Sequence, residues 1–409
     1  MLKEHRSRLA DGDSSFVFWG RGRNPENECE WKFANEFGCK IHAILDRLTG
    51  KHGFYSSFAT RKLLQRLEYI NPDVIHLHNI HGYYINIDML FQWLVEHDCL
   101  VEWTLHDCWA FTGHCAYFTS VNCTQWKQFC GELAECPQLK TYPKTYSKGS
   151  CGWNYRQKRK IFTQLPADRL KIITPSKWLA DLTRESFLSK YTIEVRHNTI
   201  DSSVFKKTPC SFRTYFDLGN KFLILGVASP WSDRKGLKDF IRLANDLDSA
   251  RFAILLVGLS KTQIDQIPDY FSDLIDTESV DFSQSTRVYT STSSYDSCKV
   301  NSKFANETPS SFIGKIVSLP HGGRLFLMPK TECASQLAAL YSSSNVLFNP
   351  TIEDNFPTVN LEAESCKTPV ITYDTGGCAE TINLFNSRCV KNYAAALGEI
   401  LKLSELTNL

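Results

Sequence analysis

The chain contains no run of 18 or more uninterrupted apolar residues, which excludes a conventional membrane-spanning helix. Its first residues, Met1-Leu2-Lys3-Glu4-His5-Arg6-Ser7-Arg8, are polar and hold no apolar segment of the secretory kind. Charge of one sign is also missing. The 46 Lys and Arg against 44 Asp and Glu leave a net +2, so no nucleic-acid partner is expected. An Asp-x-Asp pair at a strand end is lacking too. Asp11-Gly12-Asp13 and Asp246-Leu247-Asp248 both precede expected strands and read as turns, so no catalytic divalent cation is expected.

Cysteine, by contrast, is plentiful at fifteen residues. Six of them, Cys108, Cys115, Cys123, Cys130, Cys136 and Cys151, gather in one loop-rich stretch with His114 beside Cys115. Zinc usually takes four ligands in pairs two to four residues apart. Here Cys130 and Cys136 have five residues between them, and Cys115 and Cys123 have seven. That spacing weakens a structural-zinc reading, with buried thiols packing a loop as the alternative. A disulfide set would need an oxidising compartment that nothing else in the sequence supports. No cofactor is expected, and the chain reads as cytoplasmic.

What is present is an ordinary globular composition, 43% hydrophobic and 22% charged, over 409 residues, enough for two or three domains. Short apolar runs alternate with helical spacing. Ser15–Gly20 reads as a strand, 61–70 as a helix, Val74–His78 as a strand, 88–97 as a helix and Cys99–Leu105 as a strand ending in His106-Asp107. Such alternation predicts parallel sheets covered by helices. Ligands in these sheets sit beyond the carboxyl ends of the strands, where His78, His81 and His106 are expected. A second series opens with Phe222–Ala228 and runs through Trp231-Ser232-Asp233-Arg234-Lys235-Gly236. The Ser/Thr-rich stretch 277–318 has no period and reads as a surface insertion.

The densest chemistry lies between Asn349 and Glu380. Asn349-Pro350-Thr351-Ile352-Glu353-Asp354-Asn355-Phe356-Pro357-Thr358-Val359 leads into a helix that carries Glu362. Thr368-Pro369-Val370-Ile371-Thr372-Tyr373 follows as a strand, then Thr375-Gly376-Gly377-Cys378-Ala379-Glu380 as a second helix start. Free amides at helix starts attract phosphate, and carboxylates hold sugar hydroxyls.

This stretch resembles the donor-site signature of GT-B glycosyltransferases of family 4, the large retaining group. In that family two acidic residues have seven between them, as Asp354 and Glu362 do, with Asp354 standing where most members have Glu. Glu353 is a competing candidate one position earlier. Arg234 and Lys235 resemble the family's diphosphate contacts, although Val227-Ala228-Ser229 lacks the Arg that often follows the preceding strand. The resemblance implies that Glu362 holds the ribose and Asp354 contacts the transferred sugar. Asn355, Phe356, Pro357, Thr358, Val359, Gly376 and Gly377 would shape the donor pocket. His106, in Thr104-Leu105-His106-Asp107, resembles the family's catalytic His. His78, His81 and Tyr83 resemble the acceptor-side loop of a subgroup making bacterial exopolysaccharide.

The implied fold is α/β: two Rossmann-like domains with parallel sheets facing a central cleft. The expected boundaries are 1–201 for an acceptor-side domain, 202–219 for a linker, 220–391 for a donor domain and 392–409 for a C-terminal helix. The first domain lacks the strand and glycine-rich loop that open its relatives. The implied activity is metal-independent, retaining transfer of a hexose from a UDP- or GDP-linked donor. The implied acceptor is a lipid-linked saccharide at the inner membrane face. A nucleotide-sugar-binding protein without turnover and a GT-B sugar-nucleotide epimerase remain as alternatives.

Overall fold

The computed structural model describes residues 5, 8–131, 134–271, 275–283, 285–286 and 312–406. Chain contacts divide it into two compact units, Met1–His197 and Asn198–Leu409. In the first unit, β1 (Val17–Trp19) and β2 (Glu30–Lys32) pair in parallel as a separate two-stranded ribbon. Helices α1 (Glu36–Thr49) and α2 (Ser57–Ile70) follow. Asn35 caps α1 by accepting the Gly38 amide at 2.6 Å, and Gly50 ends it at φ 68°.

The sheet of this unit is β3 (Val74–Leu77), β4 (Leu100–Thr104), β5 (Leu170–Thr174) and β6 (Thr192–Val195), in that order and all parallel. The crossover helices are α3 (Ile87–Glu96), α4 (Ser150–Phe162) and α5 (Lys177–Arg184). Phe91, Trp103, Trp109 and Phe162 pack ring to ring at the centre of its core.

The second unit begins with α6 (Phe212–Tyr215) and β7 (Phe222–Val227), then α7 (Leu237–Asp246), β8 (Phe252–Val257) and α8 (Lys261–Gln266). Next come β9 (Asp276–Asp281), β10 (Ile313–Leu319), β11 (Gly323–Met328), α9 (Ala334–Ser343) and β12 (Val346–Asn349). Helix α10 (Thr358–Ser365), β13 (Val370–Tyr373), β14 (Arg388–Val390) and α11 (Tyr393–Leu406) complete it. One eight-stranded sheet results, ordered β14-β13-β12-β7-β8-β11-β10-β9. All neighbours are parallel except β10, which runs against both β11 and β9. Both faces are covered. Ile224, Ile254 and Leu325 enter one core, and Leu225, Leu255 and Phe326 enter the other. Strands buried on both faces must be apolar throughout, as β7 and β8 are.

Two sequence expectations are corrected here. The stretch 277–318 is not wholly an insertion, because 276–281 and 313–319 form β9 and β10 of the sheet. Strand β9 lies at the sheet edge and exposes most of its polar residues, which hid its period. The middle of the stretch, 287–311, lies outside the described residues. The expected linker 202–219 packs on the second unit instead, with Phe205, Phe212, Phe216 and Leu218 buried in its core. Four large apolar side chains within 14 residues are reason enough for that docking.

Candidate functional site

Two loops at the carboxyl edge of the second sheet are laced together. After β7 the chain passes Trp231, whose indole N–H donates to Val257 O at 2.8 Å, and makes a short 3₁₀ turn over Asp233–Lys235. After β12 it makes the turn Pro350–Pro357. The Ile352 amide donates to Arg234 O at 2.9 Å, and the Arg234 guanidinium donates to Glu353 O. Lys235 Nζ forms an ion pair with Asp354. Both partners are mostly buried, at 23% and 14% side-chain exposure. Asp354 therefore faces the cations, and Glu353 is buried and contributes its carbonyl.

Helix α10 starts directly behind this turn. Pro357 occupies its cap position and supplies no side-chain hydrogen bond. One turn on, Glu362 accepts the Tyr341 hydroxyl at 2.9 Å. Burial raises the Glu362 carboxyl, while hydrogen bonds from Tyr341 and Thr358 pull it back. Asn355 and Phe356 are buried at the base of the turn, and Thr358 and Val359 are half-buried.

Gly376 closes the site from the other side at φ 57°, where an added Cβ would lie 1.7 Å from Asp354 O. Glycine is required on both counts. The neighbouring Gly377 amide donates to Asp354 O at 3.2 Å. The expected second helix start is corrected by this geometry. Cys378–Thr381 is a single 3₁₀ turn, and the Gly377 and Cys378 amides are used by Asp354 O and Thr375 O. An anion here can be met by the start of α10 and by Lys235, but not by a second helix terminus.

The first unit carries a different edge. Beyond β3 and β4, His78 Nδ1 lies 3.1 Å from His106 Nε2, and at the ends of the strands themselves His76 Nε2 lies 2.8 Å from Thr104 Oγ1. His81 Nε2 is 3.3 Å from Asp107 Oδ2, and the Tyr142 hydroxyl donates to His81 O at 2.7 Å. A small pocket is lined by His78, His81, His106, Asp107 and Trp109. Burial pushes His106 below its ordinary range, with Asp107 opposing. Burial, then His76 and His106, push His78 down to about 3. Asp107 is raised by burial but lowered overall, because His81 and the Trp109 amide hold its charge. Both His78 and His106 are thus neutral hydrogen-bonding groups at neutral pH. Tyr83, at φ 65°, turns its ring toward His42 and His52 rather than toward His106.

Sequence reasoning gave no role to Asp107, Tyr341 or His52. Asp107 was legible beside His106. Tyr341 reaches Glu362 across 21 residues, and His52 reaches His81 and Trp109 from a loop with no motif. Of the clustered cysteines, Cys108, Cys115, Cys130, Cys136 and Cys151 are buried and not disulfide-bonded, and Cys123 is half-buried. Among the described residues no three His, Cys, Asp or Glu side chains are grouped so as to hold a metal ion.

Residues 318–407 match the family Glycosyl transferases group 1. Over 115 residues the chain is 32% identical to the colanic acid biosynthesis glycosyl transferase WcaC of Escherichia coli (strain K12), spanning 27% of each protein. The match thus covers about a quarter of that relative's length. Two solved structures share the whole architecture, each covering 99% of this chain and 83% of their own. They are sucrose-phosphate synthase from Thermosynechococcus elongatus (TM-score 0.58, 12% identity) and a glycosyltransferase from Rickettsia africae ESF-5 (TM-score 0.54, 13% identity). The architecture is the GT-B fold, and the match to glycosyl transferases group 1 falls within its C-terminal unit.

Proposed function

We propose, from a GT-B chain whose residues 318–407 match glycosyl transferases group 1, that this protein transfers a hexose from a nucleotide-sugar to a lipid-linked saccharide. The setting is synthesis of a cell-surface polysaccharide, and the configuration at the anomeric carbon is retained, as in family 4. The observation that carries the reading is the arrangement of Lys235, Asp354, the start of α10 and Glu362 around one loop cluster.

Transfer breaks the bond between the anomeric carbon and the diphosphate and forms one to the acceptor oxygen, whose proton passes to the departing diphosphate. Charge builds on the diphosphate as it leaves. Lys235, Arg234 and the amides opening α10 are the groups that meet that charge. Lys235 is held by Asp354 until a diphosphate competes for it. Glu362 takes the ribose hydroxyls, with Tyr341 fixing its rotamer. Asp354 contacts the transferred sugar beside the leaving phosphate. The neutral His78 and His106, with His81 beside them, supply hydrogen bonds to sugar hydroxyls. No divalent cation enters the scheme.

The test is nucleotide release from UDP- and GDP-sugars, with and without membrane lipid extract, for wild type and Glu362→Ala. Acceptor-dependent release that disappears in the variant is the expected result. Release without acceptor would favour an epimerase or hydrolase, and binding without release would mean the donor is held but not transferred.

A further inference from the structure

Helix α1 is inside out. Its buried residues are Cys39, His42 and Asp46, and among the described residues both Asp46 carboxylate oxygens and His42 Nε2 have no hydrogen-bond partner. Its outward residues include Phe37, Ile41, Ile44 and Leu48, at 73, 43, 55 and 64% exposure. Their spacing of four, three and four residues places them in one stripe. Single exposed leucines need no explanation, but a contiguous apolar stripe on a helix with a polar buried face does.

The surroundings of the stripe are basic. Lys40 and Arg47 on the helix and Lys51 just beyond it are exposed. The Tyr146 amide donates to Arg47 O at 2.8 Å, which brings a 68%-exposed tyrosine to the end of the stripe. Lys144 Nζ stands 5.8 Å from the centre of that ring. The one exposed acid on the helix is Glu36, in its first turn.

We propose that this face of the first unit docks on an anionic lipid surface. The four apolar side chains enter the acyl boundary, and Lys40, Arg47, Lys51 and Lys144 extend to lipid phosphates. Tyr146 sits at the interface, where one end of its ring is apolar and the other wet. No helix among the described residues is long and apolar enough to cross a membrane, so the contact is a surface one. A second copy could also cover the stripe, but a two-fold contact would set these cations against themselves. Charge therefore favours the anionic surface. The inference deepens the lipid-linked acceptor in the proposed reaction and rests on that reading only for its purpose, since its test needs no turnover.

The experiment is co-sedimentation of the full chain with phosphatidylcholine vesicles, with and without phosphatidylglycerol. The variants are Phe37→Ser/Ile44→Ser and Lys40→Glu/Arg47→Glu, all at exposed positions, with circular dichroism and thermal melting as folding controls. Binding to the anionic vesicles alone is expected, weakened by salt, and reduced roughly tenfold or more in each double variant. Absence of vesicle binding in the wild type, or binding that neither variant changes, would overturn the proposal. So would a concentration-dependent dimer in light scattering that Phe37→Ser/Ile44→Ser dissolves, because the stripe would then be an interface between copies.

Discussion

Replacing Gly376 by alanine tests whether the loop at Asp354 is as tightly laced as its geometry states. Two costs are separable. An alanine at φ 57° pays about 1–2 kcal/mol for the left-handed region. Its Cβ would lie 1.7 Å from Asp354 O, so one of the two turns must retreat by more than an ångström. That retreat also breaks the bond from Gly377 N–H to Asp354 O, worth about 1 kcal/mol. The sum is roughly 2–3 kcal/mol, or about 4–12 °C in Tm for a unit of this size. Gly322→Ala is the control, because Gly322 has φ 77° with open space around its missing Cβ. It pays the backbone cost alone. Differential scanning calorimetry of both variants, beside donor-sugar turnover, gives the comparison. Gly376→Ala should melt several degrees below Gly322→Ala and lose on the order of a hundredfold in turnover, because Asp354 has moved by about an ångström. Equal melting temperatures with turnover unchanged in both would refute the reasoning.

Lys235→Ala should weaken binding of UDP or GDP by roughly 10–100-fold in calorimetry, the value of a charge-assisted hydrogen bond to a diphosphate. Unchanged affinity would remove Lys235 from the site. Tyr341→Phe deletes a hydrogen bond that holds the Glu362 carboxyl down, so that carboxyl should rise further. If ribose binding needs the carboxylate, donor affinity falls as pH drops through the Glu362 pKa, and this acid limb should move to higher pH in the variant. A limb that stays or moves lower contradicts the assignment. The first unit should lose stability on acidification. Burial depresses His42 to about 4 and His78 to about 3, so each resists a proton that the unfolded chain accepts below about 6.5. At pH 5 each imidazole then costs about 2 kcal/mol relative to pH 7.5. Urea melts followed by the tryptophans of this unit should show the loss, and a flat profile would rule it out.

Much of the candidate site's geometry was legible because its residues are local in sequence. Asp354, Glu362 and Gly376 sit within 23 residues, and the same short stretch contains the turn, the helix and the strand that place them. The buried strands β7 and β8 were legible as well, since burial on both faces demands uninterrupted apolar residues. The polar strand β9 was not, because an edge strand owes its place to partners in β10 rather than to its own pattern. The second helix start failed for a related reason. Two glycines after a strand signal a turn, but whether their amides remain free depends on what packs against them, here the Asp354 carbonyl.

By itself the sequence determined the alternation of strands and helices, the apolar cores and the spacing of Asp354 and Glu362. These follow from hydrophobic period and from chain-local geometry. Only the tertiary structure decided that Lys235 answers Asp354 and that Tyr341 holds Glu362. The same holds for His78 meeting His106 and for α1 turning His42 and Asp46 inward while showing its apolar stripe outward. Such contacts join residues far apart in the chain, and the burial that sets their charge states is a property of the packed unit rather than of any segment.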